Sequence, residues 1–177
     1  MIFVGIDPGK HGAVAWTDSE RKLIEVHDCP LTGDGFDFAS MDVLIANAMA
    51  ECRGDGIRAV IEDTISVPHF DARSGSRFLP ASDKTLHLSL GAWLALLGAR
   101  HIPTEMVQPK TWKRTMLANV PNDKRAEGKA LTQRFQGHAI CTQLRGPRGG
   151  LRDGRVDALW LAEFGRVTWK LSGRRAA

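Results

Sequence analysis

Cysteine is scarce in this chain. Cys29, Cys52 and Cys141 are odd in number, widely spaced and form no Cys-x-x-Cys pair. That argues against both a disulfide framework and a cysteine zinc cage, and leaves reduced, mostly buried thiols as the expectation. Long apolar runs are missing too, so no segment is read as a membrane span. The opening Met1-Ile2-Phe3-Val4-Gly5-Ile6-Asp7 lacks the basic lead and extended apolar core of a secretory leader. The reading is a soluble, cytoplasmic protein of a cell or a phage. Neither an internal repeat nor a domain break interrupts the 177 residues. One domain over residues 1–171 with a basic tail over 172–177 is therefore expected, long enough to bury a core.

Positive charge is what the first part of the chain has little of. Residues 1–71 carry 5 Lys and Arg against 13 Asp and Glu, whereas residues 72–177 carry 19 against 7. The overall net charge of +4 hides this split. A basic half points to a polyanionic partner, because Lys and Arg contacts to phosphate supply most of the non-specific affinity for nucleic acid. Segregated charge alone is equally compatible with a solvated surface.

What is present reads as an alternating chain. Ile2 to Asp7 is a short apolar run ending in Asp-Pro-Gly, a buried strand stopping at a turn. Residues 13–16 and 23–26 form the next two strands, and their short links imply an antiparallel meander. Residues 42–53 have helical spacing and stop at Gly54-Asp55-Gly56. Residues 58–63 form a fourth strand, again ending in carboxylates. Residues 64–82 have little periodicity and read as a functional loop. A Leu- and Ala-rich helix over 86–99, a fifth strand over 101–107 and two basic helical pieces (110–117 and 124–135) follow. Pro103 suits that fifth strand to a sheet edge. A Gly/Arg loop over 145–152 leads into a last helix over 153–171.

Four acids stand out by position: Asp7 ends strand one, Glu62 ends strand four, and Asp153 and Asp157 sit on the last helix. Neighbouring strands one and four would bring Asp7 and Glu62 out at one sheet edge. Positions i and i+4 share a helix face, with Cβ atoms about 5–6 Å apart, so Asp153 and Asp157 can point into the same place. Clustered carboxylates stay ionised only if cations neutralise them. Hard oxygen donors without Cys or His favour Mg²⁺ or Mn²⁺, and two such ions suit phosphodiester hydrolysis. Each acid has a plainer explanation: Asp7-Pro8-Gly9 is also a turn signal, Glu62 or Asp63 also a solvated strand end, Asp153 also a helix cap. Asp63 is an alternative to Glu62, although period-two alternation sends the two to opposite faces.

Ile6-Asp7-Pro8-Gly9, Val60-Ile61-Glu62, Val107-x-Pro109-x-x-Trp112-Lys113 and Asp153-Gly154-Arg155-Val156-Asp157-Ala158-Leu159, in this order, resemble a RuvC-type Holliday junction resolvase. The likeness is to the divergent branch found in phages, bacteria and plant organelles, and it runs from residue 2 to about 166. It implies an α/β, ribonuclease-H-like fold with a five-stranded mixed sheet flanked by helices, a homodimer, and paired symmetric nicks in a four-way DNA junction. By the same resemblance Asp7, Glu62 and Asp157 become metal ligands. Asp153 becomes a further candidate: many relatives place that acid or a His three residues before Asp157, where this chain has Gly154, and others four before, where it has Asp153.

Lys113 and Lys124 match family lysines near the scissile phosphate, where positive charge would stabilise the transition state. Lys110, Arg114 and Arg125 would add backbone contacts. Trp112 reads as a core residue. From the 64–82 loop, Phe70 matches an aromatic that inserts near the crossover, with Phe78 a second candidate and Arg73 and Arg77 as further nucleic-acid-binding residues. Two other readings stay open: a nuclease of the same superfamily acting on RNA or an RNA–DNA hybrid, and a junction-binding scaffold without catalysis.

Overall fold

The structure, a computed structural model, describes residues 1–33, 35–64, 69–71, 76–78, 81–135 and 140–175, without the side chains of 69–71, 76–78, 81–83, 140–141 and 170–175. In chain order the elements are β1 (Ile2–Asp7), β2 (Ala13–Asp18), β3 (Ile24–Asp28), β4 (Leu31–Thr32), β5 (Gly35–Phe36), α1 (Phe38–Ala50), β6 (Ile57–Glu62), β7 (His69–Asp71), β8 (Ser76–Phe78), α2 (Ala81–Ala99), β9 (Thr104–Val107), α3 (Pro109–Met116), α4 (Lys124–Arg134), α5 (Ile140–Gln143) and α6 (Asp153–Arg175).

The main sheet has the order β3-β2-β1-β6-β9. β1, β2 and β3 pair antiparallel as a meander, and β6 and β9 add in parallel on the other side of β1. β9 forms one edge, as Pro103 led one to expect. Both faces are covered, so the strands carry few solvated positions. Ile2, Val4, Ile6, Val14, Trp16, Ala59 and Ile61 pack with Met41 and Ile45 of α1 and Leu90, Trp93 and Leu97 of α2. Ala13, Ala15, Val60 and Val107 pack on the opposite face against Val156, Ala158, Leu159 and Leu161 of α6.

The α6 layer lies unusually close to the sheet. A Cβ on Gly5 would come within 2.0 Å of the Ala158 carbonyl oxygen, and one on Gly154 within 2.3 Å of the His11 carbonyl oxygen. At these points the helix backbone touches that of β1 and of the turn between β1 and β2, and only glycine leaves room for it. Arg155 fastens the same end of the helix sideways, donating from Nε and Nη2 to the two Asp28 carboxylate oxygens at 2.6 and 2.8 Å.

Several boundaries differ from the sequence reading. α1 begins at Phe38 instead of residue 42, because Asp37 caps it by accepting from the Ser40 backbone N–H at 3.0 Å. The expected 64–82 loop contains the β7–β8 hairpin, and α2 starts within it at Ala81. α6 continues to Arg175, past the expected end at Leu171. The β4–β5 hairpin, two residues a side, is too short for a periodic signal.

Candidate active site

The strand alternation that builds the core also aims the acids. Gly5 pairs with Val60 and Ile6 with Ile61 across β1 and β6, so Asp7 and Glu62 follow at the same level at the C-terminal ends of two parallel strands. Both continue the face that α6 covers, where Val60 packs. Asp157 comes down from α6 onto this edge, one residue before Ala158, the point where helix and strand backbones meet. Glu62 and Asp157 are each only 8% exposed. Asp63 follows on the opposite parity, and its backbone N–H donates to the Val107 carbonyl at 2.8 Å.

The electrostatics tie these groups into one cluster. Burial, then the neighbouring Glu62 and Asp157 carboxylates, push the Asp7 pKa up to about 8, against the pull of Lys124 and Lys113. Glu62 is also raised, first by burial and then by Asp157, although a hydrogen bond from Trp112 works the other way. That bond is direct: the Trp112 indole N–H donates to Glu62 Oε1 at 2.8 Å. Trp112 is wholly buried, as the sequence suggested, yet it also holds a candidate ligand in place.

Lys124 donates from Nζ to Asp157 Oδ2. Burial works against the charge on Lys124, but the hydrogen bond and attraction to Asp157, with Glu127 and Asp153 adding to it, leave its pKa raised. Lys113 stands with its ammonium 5.1 Å from the centre of the Trp112 ring. Between the two lysines lies Glu127 of α4, 2% exposed, with Oε1 3.8 Å from Lys113 Nζ and Oε2 3.4 Å from Lys124 Nζ. Sequence reasoning missed this residue. In Lys124-Arg125-Ala126-Glu127 it looks like one more solvated helix charge, and only the packing of α4 on α6 turns it inward.

Asp153 stands apart from this group. It is exposed at the first position of α6 and lines an open cleft of about 580 Å³ with Asp7, Pro8, Lys10, His11 and Leu86. It is at the lip of the site, one turn out from Asp157. The alternative position at 154 is closed to any side chain by the His11 and Gly12 backbone. The turn after Asp7 is itself pinned from α2, where buried Ser89 Oγ accepts from the Gly9 N–H at 2.9 Å.

The donor chemistry fits a hard divalent cation: the Asp7, Glu62 and Asp157 carboxylates lie close enough to act on one another's charge, and Asp157 Oδ1 is buried without a hydrogen-bond partner. Among the described residues, no three acidic or His side chains form a ready-made cage. Lys124 supplies the positive charge beside Asp157 in this arrangement. Lys110 and Arg114 lie exposed one turn apart on α3, and Arg125 is exposed on α4. Arg73 lies outside the described residues. Phe70, Arg77 and Phe78 fall on the β7–β8 backbone, with their side chains outside those described.

No protein-family model matches the sequence, and no curated protein matches it. Solved structures do. Thermus thermophilus RuvC in complex with a Holliday junction substrate matches with a TM-score of 0.61 at 13% identity, covering 97% of this chain and 96% of that one. A second Thermus thermophilus RuvC structure matches with a TM-score of 0.57 at 14% identity, covering 96% and 97%. End to end, this chain has the RuvC-like, ribonuclease-H-like fold.

Proposed function

We propose that the protein is a divalent-metal-dependent endonuclease that resolves four-way DNA junctions by paired symmetric nicks. The observation that carries this reading is the convergence of Asp7, Glu62 and Asp157 on one sheet edge beside Lys113 and Lys124. Support comes from the fold shared with RuvC, one of whose structures holds a Holliday junction. Asp7, Glu62 and Asp157 would hold Mg²⁺ or Mn²⁺, two ions per site, with Asp153 at the entrance. Bound there, the metal would supply an activated water and stabilise the leaving 3′ oxygen.

The chain's own residues do the rest. Trp112 fixes the Glu62 carboxylate so that it need not reorganise. Glu127 draws the ammonium groups of Lys113 and Lys124 to one side of the acids, where they offset charge growing on the phosphoryl oxygens. Lys110, Arg114 and Arg125 position the backbone without reading bases. In the net reaction water oxygen bonds to phosphorus, the bond to the 3′ oxygen breaks, and that oxygen leaves with a proton.

Two symmetric nicks need two sites related by a two-fold axis. α2 suits the interface. One face buries Leu90, Trp93 and Leu97 in the core, while Leu88 remains 56% exposed and Phe38 of α1 47% exposed beside it.

The test is a cleavage panel of four-way junction, RNA–DNA hybrid and linear duplex in Mg²⁺, Mn²⁺, Ca²⁺ and EDTA. Paired nicking of the junction in Mg²⁺ or Mn²⁺ alone is expected. Preferred cutting of the hybrid would move the protein to another substrate class. Full activity in EDTA would remove the metal, and junction binding without cutting in any metal would leave a scaffold.

A further inference from the structure

Outside the acidic edge, the structure builds a second feature whose charged residues are all basic. The outward face of α4 and the Gly/Arg loop before α6 enclose a groove of about 280 Å³ lined by Arg125, Gly128, Lys129, Thr132, Arg145 and Leu151. Arg148 and Arg152 stand exposed on the same loop. The lining holds three cations and not one carboxylate, because the α4 acid, Glu127, faces the other way into the site.

The loop is a built structure. Arg145 and Leu151 form a β-bridge, the Gly146 N–H donates to the Gly150 carbonyl at 2.8 Å, and the Gly149 N–H donates to the Gly146 carbonyl at 2.9 Å. Arg155 of α6 donates to the carbonyls of Gln143 and Arg145, so the clamp that fixes the catalytic helix also fixes this loop. Leu151 packs onto Gly128, where a Cβ would approach its Cδ1 to 2.7 Å. The result is an apolar floor between cationic walls. That composition matches the sugar–phosphate backbone, with apolar sugars against Leu151 and phosphates against the guanidinium and ammonium groups.

We propose that this groove is a second DNA-binding site, which grips the phosphate backbone of a duplex arm as it leaves the active-site edge. Two links along the chain tie it to that edge. Arg125 directly follows Lys124 of the site, and the loop ends at Arg152, next to Asp153 on the cleft lip. The inference rests on the DNA-nuclease reading above and adds where, and by what chemistry, the arm is held.

The experiment is a salt titration of binding to a four-way junction in EDTA, comparing the wild-type chain with R125A/K129A on the helix and R145A/R148A on the loop. Circular dichroism and melting temperature report folding. R125A/K129A replaces exposed helix residues with a better helix former, so it keeps the test valid if the loop variant unfolds. Every phosphate that is no longer neutralised by a cation flattens the plot of log affinity against log salt by about 0.9. A flattening of about 1.8 is therefore expected for each double variant, with weaker binding at low salt. Slopes equal to wild type in folded variants, or a flattening of only about 0.9 for R125A/K129A, which Arg125 alone accounts for, would overturn the groove while leaving the nuclease reading standing. No DNA binding by the wild-type chain at any salt would overturn both.

Discussion

Trp112 shows how much a single donor can matter here. Its indole N–H is the one polar group on a buried ring, and it is aimed at a buried carboxylate oxygen. Trp112→Phe keeps an aromatic ring and removes only the donor. Cleavage at saturating junction is expected to slow about 10–100-fold, the usual cost of losing an outer partner of a metal ligand, while junction affinity stays unchanged. Single-turnover kinetics beside a binding titration would check it, and equal loss of both would mark Trp112 as structural only. Asp7→Asn removes a proposed ligand and a negative charge where the phosphate would lie, so cleavage should vanish while junction binding holds or improves. It also has a pH signature in the metal-free protein. The Asp7 pKa is raised from 3.8 to about 8 in the fold, so the native state binds this proton more tightly than the unfolded chain. Stability from the group is then complete below about pH 4 and is lost as pH rises toward 8. In EDTA, Asp7→Asn should raise the melting temperature at pH 8 by more than at pH 5. An equal change at both would mean that the carboxyl is not held protonated.

At the level of elements, the contact between α6 and β1 sets the geometry of the site. Gly5 and Ala158 meet backbone to backbone, and this brings Asp157 down beside Asp7 and Glu62. Gly5→Ala should force helix and strand apart, at a cost of about 3 kcal/mol, the upper part of the overpacking range. Cleavage should be lost even at temperatures where the variant stays folded, because Asp157 would be lifted away. A denaturant titration together with an activity measurement would test both halves. Within the Asp-Gly-Arg-Val-Asp-Ala-Leu stretch the structure assigns each residue its contact: Asp153 to the cleft lip, Gly154 to the His11 backbone, Arg155 to Asp28, and Asp157 to Lys124. Val156, Ala158 and Leu159 pack in the core.

For the whole molecule, the question is how many copies act together. Leu88 and Phe38 expose apolar surface on the side of α2 that faces away from its own core. Light scattering at micromolar concentration should give a dimer for the wild-type chain and a monomer for Leu88→Glu. That variant should still fold, since the residue is exposed, and should nick junctions singly instead of in symmetric pairs. A monomeric wild-type chain that cuts both strands of a junction would refute the dimer. Among the described residues no helix is long and apolar enough to cross a membrane.

The main strands, the meander, the edge position of the last strand and the acids at the ends of β1 and β6 are readable from local pattern, whereas the pairing of β1 with β6 is not. Apolar runs, period-two alternation and turn residues act over a few neighbours, and those neighbours are adjacent in the chain. The helix starts at Phe38 and Ala81 were not readable. One depends on a cap at Asp37, and the other follows a hairpin inside a segment without periodicity. Lys113, Lys124 and Trp112 could be named from a resemblance; of their partners only Glu127, three residues after Lys124 on one helix, has a local spacing signal. Glu127 lies 14 positions from Lys113, and Asp157 lies 33 from Lys124. Spacing in the chain carries no information about such pairs. Burial of Glu127, the closure of position 154 and the basic groove beside α4 all exist only once α6 lies on β1 and α4 on α6. The sequence by itself determined which chemical groups this protein carries and which strands present them. The tertiary structure decided which of those groups share one site, because burial and close backbone contact are properties of packed surfaces.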